Sequence, residues 1–256
     1  MSWKYNDEIV QFKNTRFLYG PSQYVADYIK KDLNLPNEIK IIETPFELKK
    51  DTNDESILNQ LKETTHNASY LLFFGTVGLL KGALEIANSV YEILDKYKDV
   101  YLVLVGKENF IDNKSPVKNI KEKAKQYKDR VIWYNNLSHR QLFPIIKNAK
   151  AVVLPSRIDN LPNTCIEAMG LGKIVIGSRG ASFEQLIEDG KNGFLCNAND
   201  YKSIITSVDK LMKLSDNDIQ NMDKCAGERI KRLSMDNIGT KIIEYYSSVM
   251  NEFNES

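Results

Sequence analysis

The chain has 256 residues, of which 42% are apolar and 27% charged, enough for one large domain or one domain with an appendage. Thirty-five basic residues stand against 34 acidic ones, a net charge of +1, which excludes nucleic-acid binding through bulk charge. The three cysteines, Cys165, Cys196 and Cys225, form no CxxC pair, so neither a disulfide framework nor a zinc ribbon is indicated. No apolar stretch approaches the length of a membrane span, and the opening MSWKYNDEIV lacks the apolar core of a signal peptide; a cytoplasmic chain is expected.

Along residues 1–65, RFLYG (16–20) and IKIIETPF (39–46) read as strands flanking a helix near 22–34. The polar run KKDTNDES then reads as a linker, with a boundary near residue 65. From Tyr70 onward, short apolar runs alternate with helical patterns. YLLFFG (70–75), VYLVLVG (100–106), RVIWYN (130–135), AVVLP (151–155) and KIVIGS (173–178) are near-continuous hydrophobic segments, as expected of parallel strands buried on both faces. Helices are predicted near 81–97, 114–127, 138–148 and 163–171. This rhythm predicts an α/β fold, a doubly wound parallel sheet of Rossmann-like type over residues 66–200. Residues 201–256 read as helices packing on it, with SDND (215–218) and SMDN (234–237) as helix starts.

Ligands of such sheets sit beyond the carboxyl ends of the strands, so the segments after each strand carry the functional signal. GTVGLLKG (75–82) follows the first core strand: Gly75, Gly78 and Gly82 permit close backbone approach, and Lys81 is predicted at a helix start. This suits a phosphate site and equally a plain turn with a surface lysine. Gly106-Lys107 ends the second strand. After the third, YNNLSHRQL (134–142) places Ser138 as a cap and His139 as a surface residue. After the fourth, Asp159 lies in a loop and Glu167, eight residues on, in the helix 163–171. The two acids are either acceptors for sugar hydroxyls or a turn cap and a dipole partner. Gly180-Ala181-Ser182 precedes a predicted helix and suits an oxyanion turn, with Glu184 in that helix's first turn. Ala181 cannot cap in return for Glu184, which weakens a capping explanation for that acid.

Asp216-Asn217-Asp218 has the D-x-D form of a metal site but reads as an acidic helix start. Seven basic residues between Lys114 and Arg130 read as a solvated helix face, with an acidic membrane or partner surface as the alternative.

These segments together resemble the C-terminal half of a GT-B glycosyltransferase of the retaining group 1 kind, family 4. PSRIDNLPNTCIEAMGLGKIVIGSRGASFEQLIEDGKNGFL is similar to that family's pair of acids separated by seven residues and the Gly-rich turn after it. GTVGLLKG is similar to its G-R-L-x3-K-G turn. The resemblance implies a nucleotide-diphosphate-sugar donor site. Lys81 and the backbone of Gly180, Ala181 and Ser182 would meet the diphosphate, and Glu184 the same turn. Asp159 would face the sugar, Glu167 the ribose, and the segment around Tyr134 the base, with Gly75, Thr76 and Gly106 lining the site. Lys81 and Asp159 would be the catalytic pair. No metal or cofactor is implied.

Three departures stand out. Thr76 occupies the family's arginine position, Asp159 is one methylene shorter than glutamate, and residues 1–65 resemble only the end of an N-terminal domain. The resemblance thus implies a glycan or lipid-linked acceptor reached through a missing N-terminal domain or partner chain, no nucleic-acid partner, and a place at or near the inner membrane face. A non-catalytic nucleotide-sugar-binding module, or one subunit of a split enzyme, is the alternative, and an epimerase of the same architecture ranks lower.

Overall fold

Six short segments, apolar on both faces, form the core of the unit spanning residues 48–231. In the computed structural model, which describes residues 2–48 and 53–254, β3 (Ser69–Phe74), β4 (Val100–Val105), β5 (Val131–Tyr134), β6 (Ala151–Leu154), β7 (Val175–Arg179) and β8 (Phe194–Asn197) make one parallel sheet. Its order is β5-β4-β3-β6-β7-β8. The chain moves outward from β3 through β4 to β5, returns to the other side of β3, and moves outward again. Right-handed crossovers therefore place α4 (Ala83–Lys96) and α5 (Pro116–Lys123) on one face, and α6 (His139–Asn148) and α7 (Asn163–Gly170) on the other. The helix contacts agree: α4 packs with α5 and with α8 (Tyr201–Met212), α3 (Ser56–Thr65) with α6, and α7 with α9 (Asp216–Lys231). Because helices cover both faces, every residue of β6 and all but the first of β3 are buried.

The order reverses between β3 and β6, which leaves a crevice at their carboxyl ends where the connections diverge to opposite faces. The β3–α4 and β6–α7 turns meet there.

Residues 48–231 form one compact unit; residues up to Glu47 and from Arg232 onward form a second. These divisions differ from those expected at 65 and 200. Helix α3 belongs with the sheet, because Leu58 and Leu61 are buried within that unit. Residues 49–52 of the expected linker lie outside the described residues. In the second unit, β1 (Leu18–Gly20) and β2 (Ile39–Ile41) pair in parallel around α2 (Gln23–Leu33), and α10 (Met235–Asn254) closes on them. Tyr19 meets the rings of Tyr245 and Tyr246, Phe17 meets Phe253, and Arg16 pairs with Glu252 at 3.2 Å.

Other differences have local causes. The strand expected over 39–46 stops at Ile41. Helix α1 (Ser2–Asn14) was not anticipated. The helix expected over 114–127 breaks at Ala124 into α5 and a 3₁₀ turn, and Lys125 adopts a left-handed φ of 54°. Strand β8 is a sixth strand beyond the five expected. Among the described residues no helix is long and apolar enough to cross a membrane.

Candidate functional site

Lys81 ends a single 3₁₀ turn, Leu79–Lys81, rather than opening a helix; α4 begins two residues later, at Ala83. The turn is drawn against the end of β6. Gly82 has φ +83°, and a Cβ there would lie 2.1 Å from the Pro155 carbonyl oxygen, so only glycine lets the two backbones approach this closely. The Arg157 N–H donates to the Leu80 carbonyl at 2.8 Å. One residue beyond Leu80 and two beyond Arg157, Lys81 Nζ donates to Asp159 Oδ2 at 2.5 Å. The two residues expected to act together therefore do meet, across the crevice between β3 and β6.

The β6–α7 loop is held from below. Ser178 Oγ donates to the Ser156 carbonyl, and the Ser182 hydroxyl donates to the Asp159 carbonyl at 3.0 Å. Ser182 thus supports the backbone that carries Asp159, which sequence reasoning did not foresee. Ala181 is fully buried. Gly180 N–H donates to Glu184 Oε1 at 2.6 Å. Glu184 does have a structural partner, contrary to the expectation from Ala181: the acid reaches back four residues, to Gly180, within a 3₁₀ turn (Phe183–Gln185) where a helix was expected.

Glu167 lies half-buried on α7, and burial raises its carboxyl pKa above the ordinary value while His139 opposes that shift. His139 Nε2 is 3.9 Å from Glu167 Oε1, and its ring stacks on Phe143 at 5.3 Å. His139 is a surface residue as expected, with 57% of its side chain exposed, and it stands at the first position of α6, after the Ser138–Gln141 cap, beside the acid. Tyr134, at the end of β5, is partly buried, which raises its phenol pKa. Gly75 and Gly106 continue the ladder beyond β3 and β4: Gly75 N–H donates to Val105 O and Gly106 N–H to Tyr134 O, each at 2.9 Å. Thr76 is exposed in the turn between them.

The remaining sequence candidates have structural partners. Arg179 Nη2 is 2.8 Å from Asp189 Oδ2. Asp218 Oδ2 accepts from the Ser215 hydroxyl at 2.6 Å while its N–H donates back to that hydroxyl, a reciprocal cap on α9. Arg130 does not belong to a solvated basic face: it donates to the carbonyls of Leu94, Tyr97, Lys98 and Val100. Cys165 and Cys196 are buried, and burial pushes the Cys196 thiol up to about 12.

Comparison with known proteins gives the family and the fold. Residues 56–229 match the family model for glycosyl transferases group 1, and the chain belongs to that family. An uncharacterized glycosyltransferase of Haemophilus influenzae is 29% identical over 201 residues, covering 77% of this chain and 53% of that protein. The GDP-mannose:cellobiosyl-diphosphopolyprenol alpha-mannosyltransferase of Xanthomonas oryzae is 22% identical over 215 residues, covering 84% and 54%. The fold matches GT-B glycosyltransferase structures. Sucrose-phosphate synthase from Thermosynechococcus elongatus superposes with TM-score 0.78 at 18% identity, over 96% of this chain and 61% of that one. Anabaena HepE in complex with UDP-glucose gives 0.78 at 17% identity, over 95% and 67%. The chain spans about half the length of these two curated relatives.

Proposed function

We propose that this chain is the donor-binding half of a retaining, family 4 hexosyltransferase, acting on a glycan or lipid-linked acceptor in the cytoplasm, at or near the inner membrane face. The observation that carries the reading is the Lys81–Asp159 pair at the switch point of the sheet, with Glu167 one helix away. The donor is a nucleotide-diphosphate sugar. Its diphosphate meets Lys81 and the backbone near Gly180, Ala181 and Ser182, and its sugar hydroxyls donate to Asp159. Its ribose hydroxyls donate to Glu167, and its base lies along Tyr134 between the turns of Gly75 and Gly106. Lys81 offsets charge that develops on the departing diphosphate, and Asp159 orients the sugar through charge-assisted hydrogen bonds. A structural relative supports the donor class: Anabaena HepE is in complex with UDP-glucose.

A thermal-shift panel of UDP, GDP, ADP, CMP and TDP, each with and without EDTA, tests the reading. Ligand at one hundred times its dissociation constant adds about 2.7 kcal/mol, a rise of roughly 5–10 °C for a chain of this size. One nucleotide is expected to give such a rise, unaffected by EDTA; no rise with any of them removes the donor-site assignment.

A second reading, a nucleotide-sugar-binding module or one subunit of a split enzyme, is favoured by one observation. Thr76 supplies no charge where the family's turn carries arginine, and Arg179 is engaged by Asp189. Sugar transfer by this chain, alone or with a partner half, would exclude the non-catalytic form.

A further inference from the structure

Glu85 lies in the first turn of α4 and is 5% exposed. Its Oε1 accepts from Arg157 twice, from Nη2 at 2.6 Å and from Nε at 3.1 Å. Its Oε2 has no hydrogen-bond partner, the one such buried side-chain oxygen or nitrogen among the described residues. The pair is buried at the carboxylate end, while Arg157 keeps 28% of its side chain exposed; taking the Glu85 charge out of water is costly, and an orphaned carboxylate oxygen makes the balance worse. An apolar pair of similar volume would fill the same space at least as favourably. Net stability is therefore a weak reason for these two residues at this position.

Their place in the site is a stronger one. Arg157 stands two residues before Asp159, and Glu85 four residues after Lys81. Besides the Lys81–Asp159 pair itself, three contacts join the two segments: Gly82 against the Pro155 carbonyl, Arg157 N–H to Leu80 O, and the Glu85–Arg157 pair. Of these, the ion pair alone is made by side chains, so it fixes the loop without constraining either backbone further. We propose that Glu85 and Arg157 are positioning residues, whose ion pair holds the β6–α7 loop in the register that brings Asp159 to Lys81 and so sets how the donor's diphosphate and sugar are held. The proposal rests on the donor-site reading above and adds to it two residues that do not touch the donor.

Calorimetric titration of the full chain with UMP, UDP and UDP-glucose tests it, since the three probes add the phosphate and sugar contacts one at a time. If another base series is preferred, the corresponding series is used, such as GMP, GDP and GDP-mannose. In the wild type, affinity is expected to rise from UMP to UDP-glucose. Glu85→Gln, which keeps the volume and removes the charge, is expected to leave UMP affinity within twofold and lower UDP-glucose affinity at least tenfold. Because this variant leaves Arg157 without its counter-charge, Glu85→Met/Arg157→Met provides the second arm. It is expected to melt at or above the wild-type temperature and still lose the UDP-glucose gain. Full retention of that gain by the double variant, or a parallel fall in all three affinities, would overturn the proposal. A wild type that binds no probe in any base series would instead overturn the donor-site reading, and the proposal with it.

Discussion

Lys81 and Asp159 come from turns on opposite sides of the point where the sheet reverses its order, yet Lys81 Nζ and Asp159 Oδ2 are 2.5 Å apart. The pair is partly exposed, with 38% of the lysine side chain and 12% of the aspartate accessible. In that setting it adds little to stability, and its consequence is for binding. A hydrogen bond to a charged group contributes about 1.5–3 kcal/mol, so Lys81→Ala is expected to weaken UDP binding roughly ten- to hundredfold. Asp159→Asn removes the counter-charge while keeping the shape. UDP affinity is then expected to hold or rise, and the advantage of UDP-glucose over UDP to fall. Isothermal titration of both variants with both ligands measures the two effects; equal losses for UDP and UDP-glucose in Asp159→Asn would count against its role at the sugar.

Thr76 is exposed in the β3–α4 turn, so a longer polar side chain there disturbs no packing. Thr76→Arg restores the cation that the related turn carries. It is expected to tighten UDP binding about tenfold and to leave the melting temperature within a degree or two. The salt dependence of the dissociation constant should steepen in parallel, because the added contact is ionic.

Much of this architecture is legible in the sequence, for a physical reason. Strands buried on both faces must be apolar at every position, and YLLFF, VYLVLV and AVVL announce themselves. β8, FLCN, ends in an exposed asparagine and lies between the polar stretches EDGKNG (188–193) and ANDYK (198–202), so only three apolar residues mark it. Lys81, Asp159 and Glu167 are readable because each follows a strand in a spaced motif. Glu85 and Arg157 are not. In sequence Glu85 is an ordinary acid in a helix's first turn, and nothing marks the arginine 72 positions later as its partner. The partner of Glu184 is hidden for a similar reason, since it is the Gly180 amide rather than a side chain. That His139 comes within 3.9 Å of Glu167 is likewise a matter of tertiary placement, which single-sequence periodicity does not encode.

Gly106 fixes how near the β4 turn comes to the β3 turn. Its φ is +139°, and a Cβ would stand 1.8 Å from the Gly75 carbonyl oxygen. The obstacle is backbone at the floor of the site, so no rotamer change relieves it. Gly106→Ala is expected to destabilise by about 3 kcal/mol or more, a fall in melting temperature of roughly 6–12 °C at this size. Gly180→Ala differs: its φ is +75°, but nothing lies within 4 Å of the added carbon, so a smaller fall is expected. Differential scanning calorimetry of the two variants gives the comparison.

Glu167 supplies the pH dependence. Burial raises its carboxyl pKa in the folded state, so the native chain holds its proton to higher pH than the unfolded chain does. By linkage, this residue lowers stability as pH rises through that interval, and the loss is complete above the folded-state value. The effect is absent below the ordinary glutamate range, about 4.3. Glu167→Gln removes the ionisation and is expected to melt higher than the wild type at neutral pH, with the difference shrinking toward pH 4. The same substitution should weaken nucleotide binding, because an amide is a poorer acceptor for ribose hydroxyls than a carboxylate. His139 opposes the shift from 3.9 Å, so His139→Asn should widen the pH interval over which Glu167 lowers stability. Melting curves of the three chains between pH 4 and pH 8, with and without UDP, test these expectations. A difference between wild type and Glu167→Gln that stays constant across that range would show that Glu167 does not change ionisation on folding in the way its burial requires.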